Sequence, residues 1–151
     1  MLICLLAILV MLPSGQTFAQ QIISLNRWKI SNYGSGPNSE ITASAIVLRQ
    51  YSPVFVDNIA EDVPEITISC KWVNPLNYVD IDVRLTLTYQ NGAYEIIERK
   101  IPTGVGTEQT LKFKPKNSAG HKVVKIEFEH VSTAMEVKIY SVEITGTFMI
   151  P

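Results

Sequence analysis

Histidine and cysteine are scarce: the chain has 151 residues and two of each. That leaves too few nitrogen and sulfur ligands for a zinc site of the usual kind. Cys4 falls in an apolar leader, so Cys70 is the single thiol of the remainder and no intrachain disulfide is expected. The fold must then rest on packing. The sequence also lacks an Asn-X-Ser/Thr sequon and a Gly-X-Ser-X-Gly nucleophile elbow. Residues 103–106 carry glycine after a strand pattern but open no helix, so they are no phosphate cradle. No window shows helical periodicity and no internal repeat is present. An excess of either charge is missing too: 13 basic residues face 14 acidic ones, a formal net charge of -1. A nucleic-acid partner, which calls for a global basic field, is excluded.

What is there begins with the leader. Residues 1–19 are uncharged, and residues 2–12 form an unbroken apolar run. That run is short of the roughly 20 residues that span a bilayer. Pro13-Ser14-Gly15 and then Thr17-Phe18-Ala19 follow it. A hydrophobic stretch, a breaker and a small residue make a secretory signal, with cleavage expected after Ala19. The product is expected outside the cell, in the periplasm or at the cell surface, with no transmembrane segment. Residues 20–151 are expected to form one domain, large enough to bury a real core.

Alternation sets the fold class. In residues 122–130, Val124, Ile126 and Phe128 share one parity while Lys125, Glu127 and Glu129 share the other. Successive strand side chains point to opposite faces, so one face is dry and one is wet. Residues 132–134 read as a turn, after which Met135, Val137 and Ile139 resume the dry parity. The phase slips near Tyr140-Ser141, and Val142, Ile144 and Phe148 then line up, which marks a bulge or a corner between two strands. Residues 78–90 read as the longest strand, Asn91-Gly92 as a two-residue hairpin turn, and residues 93–101 as the return. Residues 21–25, 41–50, 65–73 and 109–114 are further strands. Pro53 places residues 53–56 at a sheet edge. Residues 26–40 read as a polar loop and residues 58–64 as an acidic one. About eight or nine short strands at regular spacing predict an all-β, antiparallel β-sandwich of jelly-roll type.

The C-terminal order V-K-I-E-F, a break, then V-K-I-Y-S-V-E-I-T-G-T resembles the end of galactose-binding-like jelly rolls. Tyr51-Ser52-Pro53 leading a strand and the later Asn-Gly hairpin fit the same pattern. The resemblance covers most of the chain beyond the leader. It implies an extracellular carbohydrate-binding or adhesion module, with calcium as the cofactor found in many relatives. Those relatives carry an Asp pair before the last strand. Here Tyr140-Ser141 stands near that place and only Glu143 is acidic, which argues against an inherited calcium site.

Aromatic side chains are the better lead, because a flat ring packs against the apolar C–H face of a sugar. Trp28 and Tyr33 fall in the polar loop, Tyr78 begins a strand on the wet parity, and Tyr94 follows the hairpin turn. These four are the candidate ligand-binding residues. Each has the alternative of covering the core rim with its ring and leaving its polar tip wet. Trp72 and Cys70 share parity with Ile66 and Ile68 and are assigned to the core, and His130 falls on the apolar parity. Asp80 and Asp82 share one strand face, where solvation explains them better than paired-carboxylate hydrolysis. Cations crowd at Arg99, Lys100, Lys112, Lys114, Lys116, Lys122 and Lys125, and anions at Asp57, Glu61, Asp62 and Glu65. They are either solvated faces or a basic patch that meets an acidic polymer or a neighbouring subunit. The function expected first is a secreted, non-catalytic module that binds a glycan or another cell-surface component. A structural subunit of a surface coat, filament or matrix is the alternative, with residues 20–30 as a strand exchanged between copies. No catalytic signature supports an enzyme, and no bound metal is expected.

Overall fold

The long strands alternate apolar and polar residues, and the apolar halves of two sheets face each other. The computed structural model describes residues 10–11, 17–31, 37–61, 63, 65–73, 81–101, 108–116, 120–131 and 136–148. Among these the strands are β1 (Val10–Met11), β2 (Thr17–Ile22), β3 (Lys29–Ile30), β4 (Glu40–Ile41), β5 (Ile46–Leu48), β6 (Val54–Glu61), β7 (Glu65–Val73), β8 (Ile81–Tyr89), β9 (Tyr94–Ile101), β10 (Gln109–Phe113), β11 (Val123–His130) and β12 (Glu136–Phe148). Among the described residues one 3-10 turn is present, at Leu25–Arg27. No described helix is long and apolar enough to cross a membrane.

The strands form two antiparallel sheets, one of seven strands and one of five, and the molecule is an all-β jelly-roll sandwich. In the five-stranded sheet the order is β3-β6-β11-β8-β9. In the other, β12 is the spine. One of its edges pairs with β7, which pairs in turn with β10. Its other edge pairs first with β5 and then with β2. Val54, Val56, Val83, Leu85, Leu87, Ile126 and Phe128 face inward from the smaller sheet, and Ile46, Leu48, Ile66, Ile68, Phe113, Val137 and Ile139 from the larger. Phe113 and Phe128 meet edge to face across the interface, with ring centroids 5.8 Å apart. Cys70 and His130 are fully buried, as their parity predicts.

The phase slip near Tyr140 is a bulge inside one continuous strand. The register of β12 against β7 shifts between Ile139 and Ser141, so both Ile139 and Val142 reach the core. A second bulge is hidden in the sequence. The register of β11 shifts between Val123 and Lys125 against both β6 and β8, so Val123, and not Val124, takes the buried position. Two adjacent valines disguise this slip.

Three expectations are corrected. Residues 53–56 do not form an edge strand: β6 lies between β3 and β11, and Pro53 sits outside its first residue, where no ladder donor is needed. The acidic loop is strand as far as Glu61, because Asn58 takes a left-handed conformation (φ 56) that absorbs the extra residue and lets Ile59 turn inward. Among the described residues the longest strand is β12, with 13 residues, and not the segment read at 78–90, of which Ile81–Tyr89 is strand. Residues 20–22, the start of the segment considered for strand exchange, pair with β12 of their own chain. The turn read at residues 132–134 lies outside the described residues.

One edge strand from each sheet, β9 of the smaller and β10 of the larger, meet and are sealed against each other. Arg99 Nε donates to the Lys112 carbonyl at 3.2 Å, and the Lys116 amide donates to Glu95 Oε1 at 2.8 Å. Glu95 also accepts from the Tyr89 hydroxyl at 2.8 Å. Burial, then that contact with the Glu95 carboxylate, holds the Tyr89 phenol protonated well above its ordinary range. Charged residues pointing along the inner parity of an edge strand protect it from pairing with another chain.

Candidate functional site

With the inner parity filled by core residues, the outer parity of the five-stranded sheet forms three rows across the strands. In the first, Tyr94 stands opposite Thr88, Thr88 opposite Lys125, and Lys125 opposite Asp57. In the second the order is Ile96, Thr86, Glu127, Phe55 and Lys29. Glu98, Arg84 and Glu129 make the third. From β9 to β6 the face spans three strand intervals, about 14 Å.

Tyr94 is 70% exposed and Ile96 50%, which is unusual for large apolar groups on a sheet. They form the apolar end of the face. At the other end Phe55 lies between two ammonium groups: Lys125 Nζ is 4.7 Å from its ring centroid and Lys29 Nζ 5.8 Å. Each lysine is tied to a carboxylate. Lys125 donates to Glu127 Oε2 at 2.7 Å, and Lys29 to Asp57 Oδ2 at 2.9 Å. The hydrogen bond from Lys29 holds the Asp57 carboxyl below the usual carboxylate range. Between the two ends lie the hydroxyls of Thr86 and Thr88. Where β11 bulges, the surface sinks into an open depression of about 650 Å³, lined by Asp57, Asn58, Ile59, Thr88, Val124 and Lys125. Flat apolar surface at both ends, with hydroxyls and paired charges between, suits a ligand having apolar C–H faces and many hydroxyls.

Of the four aromatic residues singled out from the sequence, Tyr94 is on this face. Trp28 is corrected. It is only 4% exposed, and its ring packs 5.5 Å from that of Phe128, so it belongs to the core. The 3-10 turn ends at Arg27 and turns the next side chain inward, whereas a long polar loop would leave it in solvent. Tyr33 and Tyr78 lie outside the described residues, as do Asp80 and the side chain of Trp72. Asp82 stands opposite Lys100 on β9. Sequence reasoning missed Phe55 and Ile96. Both had a signal, an apolar residue on the parity opposite to Val54, Val56 and Ile97, but a single apolar residue on a wet face draws no attention. It also missed Tyr51, which is 52% exposed with φ 54. Tyr51 donates its amide to the His130 carbonyl at 3.1 Å, at the end of β11 away from the depression, and so stands apart from Tyr94.

No family model and no curated protein matches the chain. Solved structures do, by fold. A family 29 carbohydrate-binding module is similar with a TM-score of 0.58 and 12% identity, over 89% of this chain and 98% of the module. A Cellvibrio japonicus xylanase 10C, in complex with xylopentaose, has a TM-score of 0.58 and 14% identity over 85% of this chain. The CBM22 and GH10 modules of a Clostridium thermocellum xylanase 10B, complexed with xylohexaose, match with a TM-score of 0.51 and 12% identity over 85% of this chain. This chain spans 29% and 28% of those two xylanase chains. At these identities the likeness is one of fold.

Proposed function

We propose that this chain is a secreted, non-catalytic binding module of galactose-binding-like type, and that its ligand is carbohydrate. The observation that carries the reading is the outer face of the five-stranded sheet. Two exposed apolar side chains, Tyr94 and Ile96, adjoin a lane of threonine hydroxyls and paired charges that leads to Phe55. A sugar ring stacks on Tyr94, and the hydroxyls of a chain laid across the strands bond to Thr88, Lys125 and Asp57. The module fold supports the reading: a carbohydrate-binding module of nearly the same extent has it, and so do parts of two xylan-degrading enzymes. Export through the leader at residues 1–19 is part of the proposal and rests on sequence.

The test is a glycan array followed by titration calorimetry on the secreted form, with and without calcium. Binding to at least one neutral polysaccharide is expected, weakened tenfold or more by Tyr94→Ala while the melting temperature stays put. Absence of binding across plant, fungal and bacterial polysaccharides would count against the proposal.

A further inference from the structure

The stretch from residue 99 to residue 125 holds seven of the chain's 13 cations and one carboxylate, Glu108. The fold gathers four of these cations along one seam. Because β9 and β10 are the facing edges of the two sheets, Arg99 lies beside Lys112, and Lys116 beside Glu95. Lys112 and Lys114 share the outer parity of β10 and its extension, about 7 Å apart along the chain.

Few carboxylates offset this charge. Glu65 meets both Lys112 and Lys114, at 3.3 and 3.7 Å, with the lysine side chains 61% and 72% exposed. Glu65 itself is 23% exposed and has two ammonium groups to share, while the lysine ends stay open to solvent, where ion pairs contribute little. Glu95 is already taken by the Tyr89 hydroxyl and the Lys116 amide, and Glu98 pairs with Arg84 at 2.9 Å. Arg99 is held in place by two carbonyls, those of Lys112 and Glu98, and lies 5.9 Å from the Phe113 ring centroid. Its charge is thus positioned by backbone and ring, and no carboxylate neutralises it among the described contacts. Charges on an edge strand guard it against pairing with another chain, and this edge is already sealed.

We propose that the β9–β10 seam is a second binding surface, for an acidic polysaccharide carrying carboxylate or sulfate groups. A row of separated cations matches a linear polymer of repeated charge better than a single anion. The choice of a glycan over other polyanions rests on the carbohydrate-binding reading above; the surface itself does not.

The test is affinity electrophoresis of the secreted protein in gels containing polygalacturonate or dextran sulfate, with unmodified dextran as the uncharged control. Retardation by the two polyanions is expected, falling at least tenfold in strength between about 50 and 200 mM salt, because counterions are released at each contact. The variant carrying Lys112→Gln, Lys114→Gln and Lys116→Gln should lose it, with an unchanged circular dichroism spectrum and melting temperature. Tyr94→Ala should retain it. No retardation, or full retardation of the triple variant, overturns the proposal. Equal or tighter binding to phosphatidylglycerol vesicles or a single-stranded DNA oligomer overturns the choice of occupant. If polyanions bind while every neutral glycan fails, the sheet-face reading falls and this one stands.

Discussion

The two faces of the five-stranded sheet come from the same strands, one residue out of phase, and they are opposites. Leu85, Leu87, Ile126 and Phe128 look inward and are fully buried. Thr86, Thr88, Lys125 and Glu127 look outward and meet solvent. Trp28 and Tyr94 sit on opposite sides of this divide. Both follow turns in polar surroundings, yet one fills the interior against Phe128 and the other is the most exposed large apolar side chain described. The side of the sheet on which an aromatic falls, more than its neighbours in sequence, decides whether it holds the fold or meets a ligand.

The sharpest way to break this contrast is to truncate both residues. Trp28→Ala opens a large cavity between the sheets and should cost about 3–5 kcal/mol. Tyr94→Ala should stay within about 0.5 kcal/mol of the parent and be felt in glycan affinity instead. Trp28→Phe keeps a ring against Phe128 and removes an indole N–H that is buried without a partner, so it should cost less than the alanine change. Equal melting-temperature losses for the two alanine variants would show that the divide is drawn in the wrong place.

Parity explains what the sequence made legible. From β7 onward the strands alternate cleanly, and the buried set Ile66, Ile68, Cys70, Val83, Leu85, Leu87, Ile126, Phe128, Val137 and Ile139 follows from period two alone. The Tyr140 bulge was legible because the apolar phase visibly jumps. The β11 bulge was not, since Val123 and Val124 are equally apolar and either fits the inner face. Between β2 and β6 the elements are short: β3, β4 and β5 have two or three residues each. Two residues cannot display a period, so nothing in the sequence told Trp28 from a loop aromatic. The candidate site was half legible. Tyr94 came from its place after the Asn-Gly turn, but Phe55 and Ile96 acquire meaning only when the register sets them on the same face.

Cys70 probes the inner face at smaller cost. Burial, with a lesser push from Glu108, raises its thiol to about 11. The folded protein should therefore resist thiol reagents at pH 8, with peptide mapping by mass spectrometry finding label at Cys70 only after unfolding. Cys70→Ser places a hydroxyl among apolar neighbours and should cost about 1–3 kcal/mol. Rapid labelling of the native chain would mean that the sandwich opens at β7.

Asp57 probes the outer face, and the effect is smaller again. Its pKa is depressed in the fold, chiefly by the Lys29 hydrogen bond. The stabilisation from the pair is therefore present above the ordinary carboxylate pKa and lost as pH falls through the lower folded value. The difference in melting temperature between the parent and Asp57→Asn should be slight at pH 7, shrink in high salt and vanish in strong acid. A difference that grows on acidification would reverse the sign and remove the ion pair as its cause.

The smallest expected effect is zero, and it separates the two outer faces of the sandwich. In the resembling families calcium ties an early loop to the last strand. Here the early acidic segment is β6, and Asp57 projects from the outer face of the five-stranded sheet into a pair with Lys29. Glu143 stands in β12 of the other sheet, opposite Thr67 and Ile22. Its parity is opposite to that of buried Val142 and Ile144, so it too points outward. Two sheets packed about 10 Å apart separate these carboxylates, far beyond the roughly 2.3–2.6 Å reach of a shared calcium. A cation bound to the fold would raise the melting temperature with its concentration. Thermal unfolding in millimolar calcium and in chelator should therefore coincide. A rise of several degrees that Glu143→Gln abolishes would place a metal on the larger sheet and overturn this geometry; a rise that Asp57→Asn abolishes would place it in the depression beside Lys125.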